Sequence, residues 1–354
     1  MKSELLTRKE CTAIRGIAIL AIMLHNYCHW LKDIVRENEY TWTAAKCDRL
    51  WAIIQNPDEL FPIHLFSFFG HYGVPVFLFL SGYGLVLKYE SAQGVRPPVF
   101  QFLRYNYLKL LRILIVGFVA FTMVDVMTYS PHHYLWDEVV GILGMFANFF
   151  EHPSQVIWPG PYWYFGLTLQ VYVLYRLVFY QWRHWSVVVV AIALCWLWQE
   201  AYIDNNEVLE RLRYNFIGGM LPFGMGILLA RSNSSSPYSF SPSLLYSVIV
   251  LLLSIVLVFA MSFQLQAWLW VPVLIVIGTI ALVKCLPDVI LKIPVWLGGI
   301  SAAIFVAHPI VRKLFVRPYI HHDLYAGVIL YTVGTIALSW LFMQIINKIP
   351  KPRL

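Results

Sequence analysis

The sequence predicts an all-α polytopic membrane protein with about ten transmembrane helices and both termini in the cytoplasm. Hydrophobic residues make up 59% of the 354 positions and charged residues only 13%, about half the charged share of a soluble domain. Apolar runs long enough to cross a bilayer recur along the whole chain. These runs are continuous rather than alternating, which argues against a transmembrane β-barrel.

Ten apolar segments have the length of a spanning helix, and we treat residues 1–354 as one transmembrane domain. The first carries Arg15 and His25 in its apolar stretch and has no small-residue cleavage site after it, unlike a signal peptide. A further apolar stretch at 138–150 is short for a crossing helix, so we interpret it as re-entrant or as a partial span. The ten segments run near 13–31, 61–87, 107–128, 161–180, 185–202, 214–231, 243–263, 267–285, 294–311 and 325–347.

Basic residues near the helix ends orient the chain, because cytoplasmic loops carry an excess of Lys and Arg. Most of them fall on one side when both termini are cytoplasmic, which leaves the 32–60 loop outside. Arg312, Lys313 and Arg317 are the exception, because they lie outside in this topology. The cytoplasmic set is Lys2, Arg8, Lys9, Lys88, Arg96, Arg104, Lys109, Arg112, Arg176, Arg183, Lys348, Lys351 and Arg353.

Several classes of function are disfavoured by composition. The net charge of +7 reflects membrane topology rather than nucleic-acid binding, since the basic residues cluster at helix ends. The five cysteines are scattered and odd in number, which argues against a disulfide framework. We find no metal-binding motif and expect no metal. The chain has neither repeated halves nor a matching pair of broken helices, two features that are typical of many transporters.

Two apolar helices carry polar groups that are costly in lipid. Arg15 and His25 share the first span, and Ser301 and His308 share the ninth. A charged group at the bilayer centre costs several kcal/mol, so such residues face a protein interior or a water-filled cavity. The sequence therefore predicts a buried chemical site that draws on both ends of the chain.

Three motifs support a family resemblance. The first span opens with Arg15–Ala18 (Arg-Gly-Ile-Ala) and continues to His25. The second contains Gly73–Tyr83, a Gly-Val-x-x-Phe run that closes on Ser-Gly-Tyr, and a late helix contains Ser301 and His308. In order and separation, the three motifs resemble those of the acyltransferase-3 family of integral membrane acyltransferases. The resemblance covers essentially the whole chain.

The first motif departs from the family pattern in one respect. Nine residues separate Arg15 from His25, whereas the family typically has ten. One residue turns a side chain by about 100° on a helix. Either the first helix is locally irregular, or this subfamily places one of the two residues differently.

The resemblance implies transfer of an acyl group, usually acetyl from acetyl-CoA, to a hydroxyl of a cell-envelope carbohydrate or a related acceptor. It implies a multi-pass enzyme of the inner membrane, with the lipid bilayer, acyl-CoA and a glycan as partners and the donor on the cytoplasmic side. One rival hypothesis is a transporter or exporter of a polar or lipid-linked substrate. Another is a structural protein whose polar groups only lock helices together.

Three residues are candidates for catalysis. His25 is the predicted general base, because an alcohol attacks a carbonyl weakly until its proton is removed and histidine titrates near neutral pH. Asp125, late in the third span, either orients a histidine or lies at the outer interface. His308, which precedes Pro309, is either a second polar group of the active site or a helix cap.

Four basic residues are candidates for binding the phosphates of CoA, since Arg and Lys are natural phosphate partners. Arg15 lies near the predicted cytoplasmic end of the first span, where a topology anchor is the alternative. Arg104, Lys109 and Arg112 enter the third span, and the Lys109/Arg112 spacing places both on one helical face. Basic residues are nevertheless expected at this helix end in any case.

Five further residues are predicted to bind substrate. Ser81 and Tyr83 end the second motif, where an acyl-enzyme serine or, more simply, helix packing accounts for the pattern. Trp163 either stacks on a sugar ring or belongs to the interfacial aromatic belt. Gln170 is a buried amide in the fourth span, and Ser301 opens the late motif.

Overall fold

The computed structural model describes residues 5–37, 42–90, 96–235, 242–319 and 323–354, and within these ranges every regular element is a helix. This confirms the predicted all-α class. The helices of eight or more residues are numbered here in chain order: α1 Arg8–Cys28, α2 Ala44–Gln55, α3 Phe61–Phe69, α4 Gly73–Tyr89, α5 Val99–Val126, α6 Trp136–Leu143, α7 Trp163–Leu174, α8 Trp185–Ala201, α9 Asn206–Tyr214, α10 Phe216–Ser235, α11 Leu244–Met261, α12 Val271–Cys285, α13 Asp288–Gly299, α14 Ser301–Tyr319 and α15 Leu324–Lys348.

Five helical segments in the described part of the chain are long and apolar enough to cross a membrane. A sixth arises if α13 and α14, which meet at a bend of 71°, form one broken span. Three more helices, α8, α10 and α12, are apolar but shorter. The total of ten spans and the cytoplasmic location of the termini therefore stay predictions. The five long segments are Arg8–Cys28, Phe61–Tyr89, Val99–Val126, Leu244–Met261 and Leu324–Lys348.

The predicted partial span at 138–150 is broken in the structure. It begins within α6 and continues as a 3₁₀ turn at Ala147–Phe149. Neither piece has the ~20 residues that a bilayer-crossing helix needs, which excludes one straight span and agrees with a re-entrant or partial crossing. The predicted span 161–180 contains α7 followed by a π-helical turn at Tyr175–Phe179.

Helix α1 lies among α3, α4, α13 and α14 and contacts all four. Its first turn is a capping box. Thr7 Oγ1 accepts a hydrogen bond from the Glu10 amide at 3.2 Å, and the Glu10 carboxylate accepts one from the Thr7 amide at 2.8 Å. Lys284 pairs with the same carboxylate at 2.7 Å. These contacts fix the start of α1, and with it the positions of Arg15 and His25 along the bundle.

Glycines bring α4 and α10 into close contact. Gly82 lies against the carbonyl of Phe223, and Gly226 lies against the carbonyl of Phe79, so a Cβ at either glycine collides with backbone. The glycine of the Ser-Gly-Tyr motif therefore has a packing role. Because adjacent helix positions are rotated by about 100°, Ser81 points to a different side of α4, where it faces α1 and α5.

The start of α1 and the C-terminal residues lie at the same end of the bundle. Arg15 of α1 lines a cavity together with Lys88, near the end of α4. Lys88 in turn donates a 3.4 Å hydrogen bond to the Tyr105 hydroxyl of α5. The neighbouring Arg104 lines a cavity of about 370 Å³ with Leu354 and other residues of the C-terminus.

Candidate active site

Two adjoining cavities, of about 220 and 260 Å³, form a cleft between α1, α4, α5, α7 and α14. The first lies toward the chain ends and the second extends toward the middle of the bundle. Five residues line both cavities and so mark where they join: Arg15, Phe77, Ser81, Lys109 and Tyr172. Three of these five were predicted to bind donor or substrate.

The cleft carries positive charge without a matching negative charge. Arg15 is half-buried inside it, and Lys88 and Lys109 are exposed at its mouth. Arg15 and Lys109 make no ion pair or hydrogen bond within the described residues, and none of the described lining residues is Asp or Glu. By contrast, Arg231 makes two bonds of 2.9 and 3.0 Å to the carboxylate of Glu90. A half-buried guanidinium without a counter-charge is a site for an anionic ligand.

Hydroxyl groups line the deeper cavity. Ser301 is buried and donates a 2.9 Å hydrogen bond to the Gly298 carbonyl, while Ser81 lies beside Tyr164. Thr168 donates to the Tyr164 carbonyl at 2.7 Å. This wall offers hydrogen-bonding groups to a ligand in the cleft without adding charge.

His25 lies further along α1, beyond the cleft. It stands ten positions after Arg15, about 15 Å along the helix axis, and Ile22, one turn before it, lines the deeper cavity. Its Nδ1 is 2.8 Å from the carbonyl oxygen of Ser67. A carbonyl oxygen can only accept, so Nδ1 carries the proton and Nε2 of the neutral ring is left with a lone pair. The side chain is therefore oriented as a base.

Close packing holds His25 in this position. A Cβ at Gly70 would lie 2.7 Å from the Cβ of His25, so the absence of a side chain there lets the two backbones meet. The rings of His29 and His71 lie 4.7 and 5.4 Å from that of His25, between ring centres. These contacts leave the His25 ring little freedom to turn.

Helix α1 is a continuous α-helix from Arg8 to Cys28. Of the two explanations for the nine-residue separation, a local irregularity of the helix is therefore excluded. The ten-position step rotates His25 by about 80° from Arg15. Arg15 accordingly faces the cleft, whereas His25 faces Ser67 on α3.

His308 lies on α14, one turn after Ile304, whose carbonyl is 3.2 Å from its Nδ1. The ring is fully buried, and its Nε2 has no hydrogen-bond partner among the described residues. The ring is 5.9 Å from that of Phe305, which lines the deeper cavity. His308 thus lies behind Phe305 and outside the lining of the cleft, and its predicted catalytic role stays a prediction.

Asp125 belongs to a different cluster. Its carboxylate is fully buried, 2.6 Å from Lys313 Nζ and 2.7 Å from the His132 amide. Tyr134 donates to it at 3.2 Å. Burial and the neighbouring carboxylate raise the pKa of the Tyr134 hydroxyl, which stays a donor. Asp125 therefore has a lysine as its charged partner. None of these contacts connects Asp125 to His25 or His308.

Two of the three basic residues that disagreed with the predicted topology have partners within the protein, and the side chain of Arg317 lies outside the described part of the structure. Lys313 is neutralised by Asp125. Arg312 is buried, with Nη1 3.4 Å from both the carbonyl and the side-chain oxygen of Asn26 and the guanidinium 5.0 Å from the centre of the Trp30 ring. Both cations therefore serve helix packing, which removes them from the topology count.

Two other predicted donor residues do not line the cleft. Arg104 lies beside the C-terminus, and Arg112 is half-buried. Although Lys109 and Arg112 are three positions apart, only Lys109 is among the residues of the cleft. A spacing of three leaves two side chains about 60° apart, which is enough to separate them here.

Three predicted substrate residues lie elsewhere. Tyr83 is in the core and stacks on Phe79. Trp163 lines a separate small cavity on the other side of α7. Gln170 holds the start of α10, because its oxygen accepts from the Phe216 amide at 2.9 Å. The positions of these three side chains do not support the prediction that they lie in the cleft with Ser81 and Ser301.

Sequence reasoning missed several residues of the cleft. Lys88 is seven positions after Ser81 on α4 and therefore lies on the same helical face. Tyr164 and Tyr172 bracket Thr168 on α7 at spacings of four, and all three line the deeper cavity. The sequence does show that these residues share a helical face, because they are spaced by four or seven positions. It does not show which face of a buried helix contacts a ligand.

Comparison with protein families gives one match that spans nearly the whole chain. A model described as an acyltransferase domain, of the acyltransferase-3 type, matches residues 9–344. Neither the comparison with curated proteins nor that with solved structures yields a significant match.

Proposed function

Since the chain belongs to the acyltransferase-3 family, a family of membrane acyltransferases, we propose that it transfers acetyl from acetyl-CoA to a hydroxyl of a cell-envelope carbohydrate. The observation that carries this proposal is the cleft with Arg15 inside it and no carboxylate among its described lining residues. Its charge suits an anionic donor, and its deep end approaches the base at His25.

The donor binds with its phosphates at the mouth of the cleft. Lys88 and Lys109 meet them there, and Arg15 meets the part that reaches inside. The thioester then extends along α1, past Ser81 and Ser301, toward Ile22. The mouth lies at the end of the bundle that holds the start of α1 and the C-terminal residues, which we propose is the cytoplasmic side of the inner membrane.

The chemistry is direct attack on the thioester. His25 Nε2 takes the proton of the acceptor hydroxyl as its oxygen bonds to the thioester carbonyl carbon. The carbon–sulfur bond breaks, and the thiolate of CoA leaves with the proton that His25 had taken. The bond from Nδ1 to the Ser67 carbonyl keeps the neutral ring in the required tautomer and holds the protonated ring in place until it gives up the proton.

The test is acetyl transfer by the purified protein in nanodiscs, with labelled acetyl-CoA and an envelope polysaccharide fraction. We expect His25→Ala to lower transfer by about 10²- to 10⁴-fold, the usual contribution of a general base, while acetyl-CoA still binds. His133→Ala, which removes an exposed histidine, is the matched control and keeps full activity. A wild-type protein that binds neither acetyl-CoA nor any other acyl-CoA would refute the proposal.

A further inference from the structure

Three polar side chains converge beyond the cleft, at the far end of α1. A ring nitrogen of His25, a ring nitrogen of His29 and a carboxylate oxygen of Glu37 all lie within 4.8 Å of one another. The two histidines are one helical turn apart, and Glu37 lies on the segment that follows α1. The mechanism above uses His25 alone, so the other two groups have no role in it.

All three groups present lone pairs. His29 Nδ1 is 2.9 Å from the carbonyl oxygen of His25, so this ring, like that of His25, keeps its proton on Nδ1 and leaves Nε2 as an acceptor. Glu37 is an acceptor as a carboxylate, and its Oε2 is buried without a hydrogen-bond partner among the described residues. Neither imidazole hydrogen-bonds the carboxylate directly. The three groups thus bring three acceptors together, and a ligand that donates hydrogen bonds would satisfy them.

A single donor placed between the three acceptor atoms can reach all of them. Because each pair of these atoms lies within 4.8 Å, a point between them lies no more than about 2.8 Å from each, which suits a hydrogen bond from a hydroxyl. The separations alone also permit a metal ion, since zinc lies about 2.0–2.2 Å from nitrogen and oxygen ligands.

The surrounding charges, by contrast, disfavour a cation. Arg312 interacts electrostatically with both imidazoles, and Arg36 with His29. Lys46 donates a 2.8 Å hydrogen bond to the backbone carbonyl of Glu37. With three cationic side chains around one carboxylate, a metal dication or an ammonium group is repelled. A neutral group with several O–H donors has no such penalty.

We infer that Glu37 and His29 bind the hydroxyl next to the one that His25 deprotonates, so that the acceptor is a vicinal diol, as on a sugar ring. The reacting hydroxyl donates to His25, and its neighbour donates to the carboxylate of Glu37, with His29 beside it. Glu37 selects and orients the acceptor and takes no part in proton transfer. This inference rests on the proposed function and narrows its acceptor class.

The test compares two acceptors that differ by one hydroxyl, trans-cyclohexane-1,2-diol and cyclohexanol, with acetyl-CoA as donor. We expect the wild type to prefer the diol in kcat/KM by about 10- to 100-fold, the range for a hydrogen bond to a charged group. Glu37→Gln removes this preference, because it lowers kcat/KM for the diol and leaves cyclohexanol unchanged. Glu37→Asp restores part of it. Glu59→Gln, an exposed acid, is the matched control and retains the full preference.

Three outcomes overturn the inference. In the first, Glu37→Gln reduces kcat/KM equally for both acceptors, which indicates a merely structural role. In the second, the wild type shows no preference for the diol in either transfer or binding. In the third, calorimetric titration shows stoichiometric zinc binding that Glu37→Gln abolishes, which identifies a metal site instead. Failure of the proposed function is distinct from all three, because it shows as loss of acetyl-CoA binding by the wild type.

Discussion

Two regions of the molecule place charge inside a membrane protein in opposite ways. In the cluster around Asp125, the buried carboxylate meets Lys313 at 2.6 Å and the His132 amide at 2.7 Å. In the cleft, Arg15 and Lys109 make no ion pair within the described residues. In the first region the charges are balanced without a ligand. In the second they are balanced only when an anion binds.

The difference shows how a buried charge reports on function. A partnered ion pair in the interior is weak evidence for function, because its energy is balanced within the fold. An unpartnered half-buried cation has a desolvation cost that nothing in the fold offsets, so a ligand is expected to do so. Stability and ligand binding should therefore respond to mutation separately in the two regions.

The largest effect on stability is expected at Lys313. Lys313→Met leaves Asp125 buried without its counter-charge, which costs about 3–5 kcal/mol. Thermal unfolding in nanodiscs should show a large fall in Tm, while the fraction that remains folded binds acetyl-CoA with unchanged affinity. The double variant Lys313→Met/Asp125→Leu should recover most of the loss, because it removes both charges. Weakened acetyl-CoA binding in folded Lys313→Met would contradict the separation of the two regions.

The next largest effect is expected at Arg15, where acetyl-CoA binding should weaken and thermal stability should not change. Arg15→Ala removes the cation inside the cleft and should raise the Kd for acetyl-CoA by about 10- to 100-fold. It should not lower Tm, because Arg15 has no partner to lose in the described structure. Arg104→Ala, at the same end of the bundle but beside the C-terminus, is the matched control for isothermal titration. A fall in Tm with unchanged Kd would make Arg15 a structural residue.

The fold class and part of the site were predictable from the sequence. Long apolar runs gave the helices, and Arg15, Ser81, Lys109 and Ser301, predicted from separate motifs, do line one cleft. What the sequence did not contain is which face of each helix meets the cleft. Trp163 was predicted to bind substrate, yet it faces away from the cleft that the adjacent Tyr164 lines, because one position rotates a side chain by about 100°.

Long-range partners were also beyond the sequence. Lys313 follows Asp125 by almost two hundred positions, so neither periodicity nor spacing connects them, and a histidine partner was the more natural prediction for an intramembrane carboxylate. Glu37 had no motif at all, because it lies on a connecting segment whose path is set by the tertiary fold. Spacing therefore relates residues only within one helix, where it still did not bring Arg112 into the cleft with Lys109, and it gives no information about distant segments.

The smallest effect is expected at Lys88. It tests whether cations contribute less to binding at the exposed mouth of the cleft than inside it. Lys88 is exposed at the mouth, where an ion pair with a phosphate is worth about 0.2–1 kcal/mol, so Lys88→Ala should raise the Kd for acetyl-CoA by no more than about five-fold. Salt distinguishes it from Arg15, since the Debye length falls from about 10 Å at 0.1 M to about 3 Å at 1 M. Titrations at high salt should erase the effect of Lys88→Ala and preserve most of that of Arg15→Ala. Equal loss of both effects would place Arg15 in solvent rather than inside the protein.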